Sequence, residues 1–144
     1  MAPIFKTLAI FGALFAALGS AIPLENTARA PSENEVEAGP QGGCPKEKPC
    51  VGQGTFYSTA GIGACGSTND GNSQNVFAVS KNIYNRNLCG RTVNITYKGK
   101  QVSGKIVDRC EACKAGDLDF SPHAFKTVAD PLVGRLDGVS WYLS

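Results

Sequence analysis

The chain has 144 residues, 42% hydrophobic and 18% charged, with six cysteines and a formal net charge of +2. That length suits one modest core. The positive charges form no dense basic run, which argues against a nucleic-acid binder and leaves at most a weak attraction to anionic wall polymers.

Residues 1–21 have the form of an export signal. Lys6 supplies one positive charge, an apolar run follows from Thr7 to Leu18, and Gly19-Ser20-Ala21 provides small residues before a cut. The apolar run falls short of the roughly 20 residues that a membrane-spanning helix needs. A secreted, extracellular protein without a membrane anchor is therefore expected. Residues 22–43 carry Glu25, Glu33, Glu35 and Glu37 against Arg29, lack hydrophobic periodicity and are interrupted by Pro23, Pro31 and Pro40. They are expected to form a disordered leader or pro-segment.

Residues 44–144 remain as the folded domain. Here 12 Lys and Arg stand against 8 Asp and Glu, a net of +4 with His123 neutral. Gly54-Thr55-Phe56-Tyr57-Ser58 predicts a first strand, and residues 60–75, rich in Gly, Asn and Ser, predict a loop. Val76-Phe77-Ala78-Val79 predicts a strand buried on both faces. Asn82 to Leu88 is a polar connection with one helical turn around Ile83 and Tyr84.

From Arg91 to Tyr97 the pattern alternates, with Val93, Ile95 and Tyr97 on one side and Thr92, Asn94 and Thr96 on the other. Lys98-Gly99-Lys100 makes a tight turn, and Gln101 to Val107 returns with Val102 and Ile106 inward, completing a β-hairpin. Asn94-Ile95-Thr96 is also a glycosylation sequon on the outward face. Ser121-Pro122 starts a helix, a hydroxyl cap followed by proline at the first helical position. Ala124, Phe125, Val128 and Ala129 give that helix its apolar face, and it ends before Pro131. His123 sits exposed in its first turn without a catalytic role. Leu136 to Leu143 closes the chain as a strand. About six short strands and one short helix predict a small, mainly β barrel.

Behind an export signal, Cys44, Cys50, Cys65, Cys89, Cys110 and Cys113 predict three disulfides, in any of 15 pairings. A zinc site would need a second Cys or His pair, and His123 is the sole histidine, so no metal is expected. The most chemically loaded stretch is Ile106 to Phe120. It turns from apolar to polar at Asp108-Arg109, carries Cys110 and Cys113, and ends in Asp117-Leu118-Asp119-Phe120. Leu118 and Phe120 should be buried opposite Asp119. A carboxyl beside apolar packing, with Asp108 and Asp117 as like-charge neighbours, should have a raised pKa and can donate a proton to a glycosidic oxygen. The competing role for Asp119 is an acid favoured by the dipole of the following helix.

Several motifs occur in order: Gly54-Thr55-Phe56-Tyr57, Gly63-Ala64-Cys65-Gly66, Cys89-Gly90-Arg91, Val107-Asp108-Arg109-Cys110 with Cys113, Asp117 to Pro122, Gly134-Arg135 and Val139-Ser140-Trp141. Together they resemble the double-psi β-barrel of expansins, above all the small single-domain fungal members: loosenin-like, barwin-like and rare-lipoprotein-A-like proteins and the allergens among them. The resemblance covers about residues 51 to 144. It implies a six-stranded double-psi β-barrel with one short helix, stabilised by disulfides, and no metal or organic cofactor. It places Asp119 at the family's essential groove acid, Asp108 at the aspartate lining the same groove, and Thr55 and Tyr57 at the polar first-strand positions beside it. Asp117, expected as an exposed loop acid, and Tyr84, Tyr142 and Trp141 are further candidates for contact with a sugar. The implied bridges are Cys65–Cys89, a local Cys110–Cys113, and Cys44–Cys50 as an extra clasp.

Inverting glycoside hydrolysis needs a general base as well as an acid. Family-45 endoglucanases, which share this barrel, place an aspartate just after the first-strand Thr-x-Tyr motif, whereas here Ser58-Thr59-Ala60 follows Tyr57. The resemblance therefore implies a monomeric protein that binds and loosens cell-wall polysaccharide, cellulose or chitin, without hydrolysis. The alternatives are a binding module, cysteine-protease inhibitor, effector or allergen acting on a protein target, and a one-acid lytic transglycosylase.

Overall fold

The computed structural model describes residues 43–144. The export segment and residues 22–42 of the leader lie outside them. The described chain runs β1 (Cys50–Phe56), β2 (Val76–Ser80), β3 (Thr92–Tyr97), β4 (Lys100–Cys110), β5 (Leu118–Phe120), α1 (Pro122–Val128) and β6 (Leu136–Leu143). The six strands close a barrel in the order β1-β5-β2-β4-β3-β6. β1 with β5 and β2 with β4 pair in parallel, and the other four contacts are antiparallel.

The local signals account for much of this. Val93, Ile95, Tyr97, Val102 and Ile106 are buried on the inner face of the β3–β4 hairpin, as their alternation requires. Ser121 caps α1 by accepting from Ala124 N, and its hydroxyl also donates to Gln74 O, tying the helix to the entry of β2. Phe120 makes edge-to-face contacts with Phe77 and Phe125 at centroid distances of 5.1 and 5.8 Å. These fully buried rings, with Trp141, dominate the core. Burial of each contributes roughly 1.5–3 kcal/mol before chain entropy is counted.

Three local expectations change. β1 starts at Cys50 and ends at Phe56, so Tyr57 and Ser58 lie just beyond it. Its first half pairs with β6 across a bulge at Gly52/Gln53. Gly52 interrupts the strand signal there because a side chain would meet the Gly116 carbonyl, 2.1 Å from an ideal Cβ. The helical turn forms at Arg86–Leu88 rather than around Ile83 and Tyr84, because Asn85 caps it by accepting from Asn87 N. β5, only three residues long, is too short to show periodicity.

Three disulfides join Cys44 to Cys50, Cys65 to Cys89 and Cys110 to Cys113. The Cys65–Cys89 bridge spans 24 residues and contributes roughly 3 kcal/mol by constraining the unfolded chain. Such a set fits an oxidising, extracellular compartment.

Candidate functional site

Strand register assembles a polar row. Thr55 on β1 pairs with Asp119 on β5, Asp119 with Ala78 on β2, and Ala78 with Asp108 on β4. Leu118 and Phe120 are fully buried inside the barrel, so Asp119 projects from its outer surface. The two aspartates stand two strand spacings apart, about 10 Å between backbones. Asp108 reaches this row through a bulge: Phe77 pairs with Ile106, but Ala78 skips Val107 and pairs with Asp108. Such a bulge re-aims the following side chain. The skipped Val107 turns its carbonyl to Cys65 N.

Each acid is held differently. Asp119 Oδ1 accepts from Thr55 Oγ1 at 2.7 Å. Burial pushes the Asp119 carboxyl above its ordinary value; the Thr55 hydrogen bond opposes this and the Asp108 charge adds to it. Asp108 Oδ1 accepts from Ala64 N at 2.7 Å and from Arg109 N at 2.8 Å. Gly63 permits that approach, since a side chain there would lie 2.6 Å from Val107 O and 3.2 Å from Asp108 Cγ. Tyr57 stands near both acids: burial, followed by the charges of Asp108 and Asp119, pushes its pKa up, so the phenol keeps its proton. α1 has Ser121 at its cap and no acid in its first turn, so Asp119 does not serve as a helix-entry acid.

Four other candidates have different surroundings. Asp117 is not a free loop acid: its two oxygens accept from Gln53 N and Lys114 N, pinning the turn before β5 to β1. Trp141 is 1% exposed and donates from Nε1 to Gly116 O at 2.8 Å, so its ring offers no surface to a sugar. Tyr84 donates to Ala64 O, lies against both sulfurs of the Cys65–Cys89 bridge, and carries the Arg109 guanidinium over its ring at 5.8 Å. It braces the loop that holds Asp108, and one of its faces is already covered. Tyr142 pairs with Asn94 on the β3–β6 surface, well round the barrel from β5. Asn94 there donates from Nδ2 to Ser144 Oγ.

Sequence reasoning missed Ala78, the small buried residue that stands between the two acids in register. Its only signal is one methyl amid Val76, Phe77 and Val79.

The fold and this row define a small disulfide-braced barrel with paired acids on its outer wall. No family model matches the chain. It is 45% identical over 117 residues to Allergen Asp f 7 of Aspergillus fumigatus, covering 78% of this chain and 43% of the allergen. The chain thus spans less than half the length of that protein. It is 32% identical over 98 residues to the papain inhibitor of Streptomyces mobaraensis, covering 63% of this chain and 68% of the inhibitor. Among solved structures, the Streptomyces papain inhibitor superposes with a TM-score of 0.64 at 29% identity, covering 69% of this chain and 97% of that one. An aspartate-to-asparagine variant of Clavibacter michiganensis expansin in complex with cellohexaose superposes with a TM-score of 0.60 at 25% identity, covering 67% of this chain and 50% of that one. The chain belongs to the barwin-like double-psi β-barrel family, as an expansin-like or inhibitor/allergen-type member.

Proposed function

We propose that the protein is secreted and binds cell-wall polysaccharide, cellulose or chitin, across Asp108, Tyr57, Asp119 and Thr55, loosening it without cutting. The observation that carries this reading is the register row itself, which sets two carboxylates on a rigid wall, with the Tyr57 phenol close enough for both charges to act on it. Carboxylate, phenol and hydroxyl groups on a rigid frame suit the alternating donors and acceptors of a sugar chain. The expansin neighbour's complex with cellohexaose supports the ligand class.

Hydrolysis by inversion would need a free base opposite the acid. Ser58 to Ala60 offer no carboxylate, and Asp108 already accepts from two backbone amides. Burial raises the Asp119 carboxyl above its ordinary value, which favours a role as donor to an ether or hydroxyl oxygen of the chain. A glycan on Asn94 would project from β3, across the barrel from β5, and leave the row open.

Co-sedimentation with insoluble cellulose and chitin tests this, with product release measured in the same samples. Wild type should pellet without releasing sugar, and Asp119→Ala and Tyr57→Ala should remain in solution. Failure to bind either polymer overturns the proposal. Sugar release lost in Asp119→Asn would instead make the protein a lytic enzyme.

One observation favours a second reading, a protein target. Leu132 is 93% exposed on a short 3₁₀ turn held rigid by Asp130, whose side chain accepts from Leu132 N, and the papain inhibitor is matched over nearly its whole length. Papain inhibition by wild type, lost in Leu132→Ala and without glycan binding, would favour it.

A further inference from the structure

Beside Tyr57 the barrel wall opens into a cavity of about 450 Å³. One wall is the end of β1 and the residues after it, Phe56 to Ala60. The other is the turn Asn69 to Asn72, with Pro122 at the start of α1. Neither wall is loose. Thr59 Oγ1 donates to Asn69 O and accepts from Gly71 N, so the two walls are joined at one side chain. Gly71 O in turn accepts from His123 N, which fixes the turn to α1. Asp70 accepts from Asn72 N and from Ser73 Oγ at 2.6 Å, closing the turn on itself.

The cavity is lined by both apolar and polar side chains. Phe56 is 38% exposed here and rests on Phe125 at a centroid distance of 4.7 Å; the Pro122 ring lies beside it. Ser58, Asp70 and Asn72 supply hydroxyl, carboxylate and amide groups. A volume in the range of small-molecule sites, apolar side chains and a few polar groups on rigid segments form a binding site for a ring with C–H faces and hydroxyl edges. Tyr57 belongs to both regions, lining the cavity while standing near enough to Asp108 and Asp119 to feel both charges.

We infer that this cavity is an end subsite for the same glycan, holding the pyranose ring that lies beyond Tyr57 when the chain occupies the Asp119 row. The inference rests on the glycan-binding reading and extends it to a ligand class. The subsite presents Asp70 and the row Asp108 to the chain, so the ring accepted is neutral, and a uronic acid is repelled.

Titration calorimetry with soluble β-1,4-linked cello- and chito-oligosaccharides of increasing length tests this on wild type, Ser58→Trp and Asn72→Ala. The tryptophan fills the cavity. Wild-type affinity should rise about five- to tenfold when the chain becomes long enough to reach it. Ser58→Trp should abolish that rise, Asn72→Ala should reduce it, and both should bind the shorter chains as wild type does. An unchanged rise in Ser58→Trp overturns the subsite, while loss of short-chain binding in a parallel titration of Asp119→Ala preserves the groove. Absence of binding at every length by wild type overturns both. Oligogalacturonates binding as tightly as the neutral series would overturn the assignment to neutral rings.

Discussion

The Thr55 hydroxyl donates to the Asp119 carboxylate at 2.7 Å although 64 residues of chain separate them. The bond follows from the parallel pairing of β1 with β5, which sets the two residues side by side on the outer wall. It is the one interaction at Asp119 that favours the charged form, against burial and the charge of Asp108. Thr55 is therefore a positioning residue that also tunes the acid beside it.

Thr55→Val keeps the shape of the side chain and removes the donor. The Asp119 pKa should rise further, since the lost bond had stabilised the carboxylate. Carboxyl NMR titration checks the direction, and because the protonated Asp119 is the donor to the glycan, the pH at which binding falls off should rise with it. A midpoint that stays put or falls would show that the bond does not govern Asp119.

Asp119→Asn should be more stable than wild type at neutral pH. The folded protein holds the Asp119 proton more tightly than the unfolded chain, whose ordinary value is 3.8. Stability from this group is complete below 3.8 and is lost as pH rises through the folded value. The asparagine carries no such loss. Thermal unfolding should give the variant the higher Tm at pH 7, with the gap closing in acid. A lower Tm at pH 7 would mean that the site favours the carboxylate.

Trp141→Phe should cost about 1–3 kcal/mol, because the Gly116 carbonyl loses its donor in a buried place. Trp141→Ala should cost about 3–5 kcal/mol through the cavity it leaves. Denaturant unfolding measures both. Glycan binding by the folded phenylalanine variant should equal wild type, because the ring does not reach the surface; a selective binding loss would return Trp141 to the ligand site.

Replacing Cys65 and Cys89 by serine should cost roughly 3 kcal/mol, a fall in Tm of more than about 10 °C for a domain of this size. The shorter Cys44–Cys50 loop should cost less when its bridge is removed. The Cys65 variant should also bind glycan more weakly than its stability loss predicts. Ala64, whose amide holds Asp108, is the neighbour of Cys65, and its carbonyl is held by Tyr84. Equal binding by the folded double mutant would show that the loop keeps its place without the bridge.

Local interactions made part of this protein legible from its sequence alone. The β3–β4 hairpin, the Ser121 cap, the closing strand and the buried face of α1 each depend on neighbours a few residues away, so alternation and turn chemistry reveal them. The ordered motifs carried the barrel and the candidacy of Asp119 and Asp108. Only the tertiary structure decided how the remaining residues divide. Asp117 and Asp119 are two residues apart and chemically identical, yet Asp117 is consumed by the amides of Gln53 and Lys114 while Asp119 stays on the wall. Trp141 can bury its indole N–H because the Gly116 carbonyl, 25 residues away, accepts a hydrogen bond from it. The cavity beside Tyr57 needs β1, the turn after Asn69 and the start of α1 together. Each of these outcomes is set by register between distant segments and by which backbone groups are left to be satisfied, and neither is written in the order of residues along one stretch of chain.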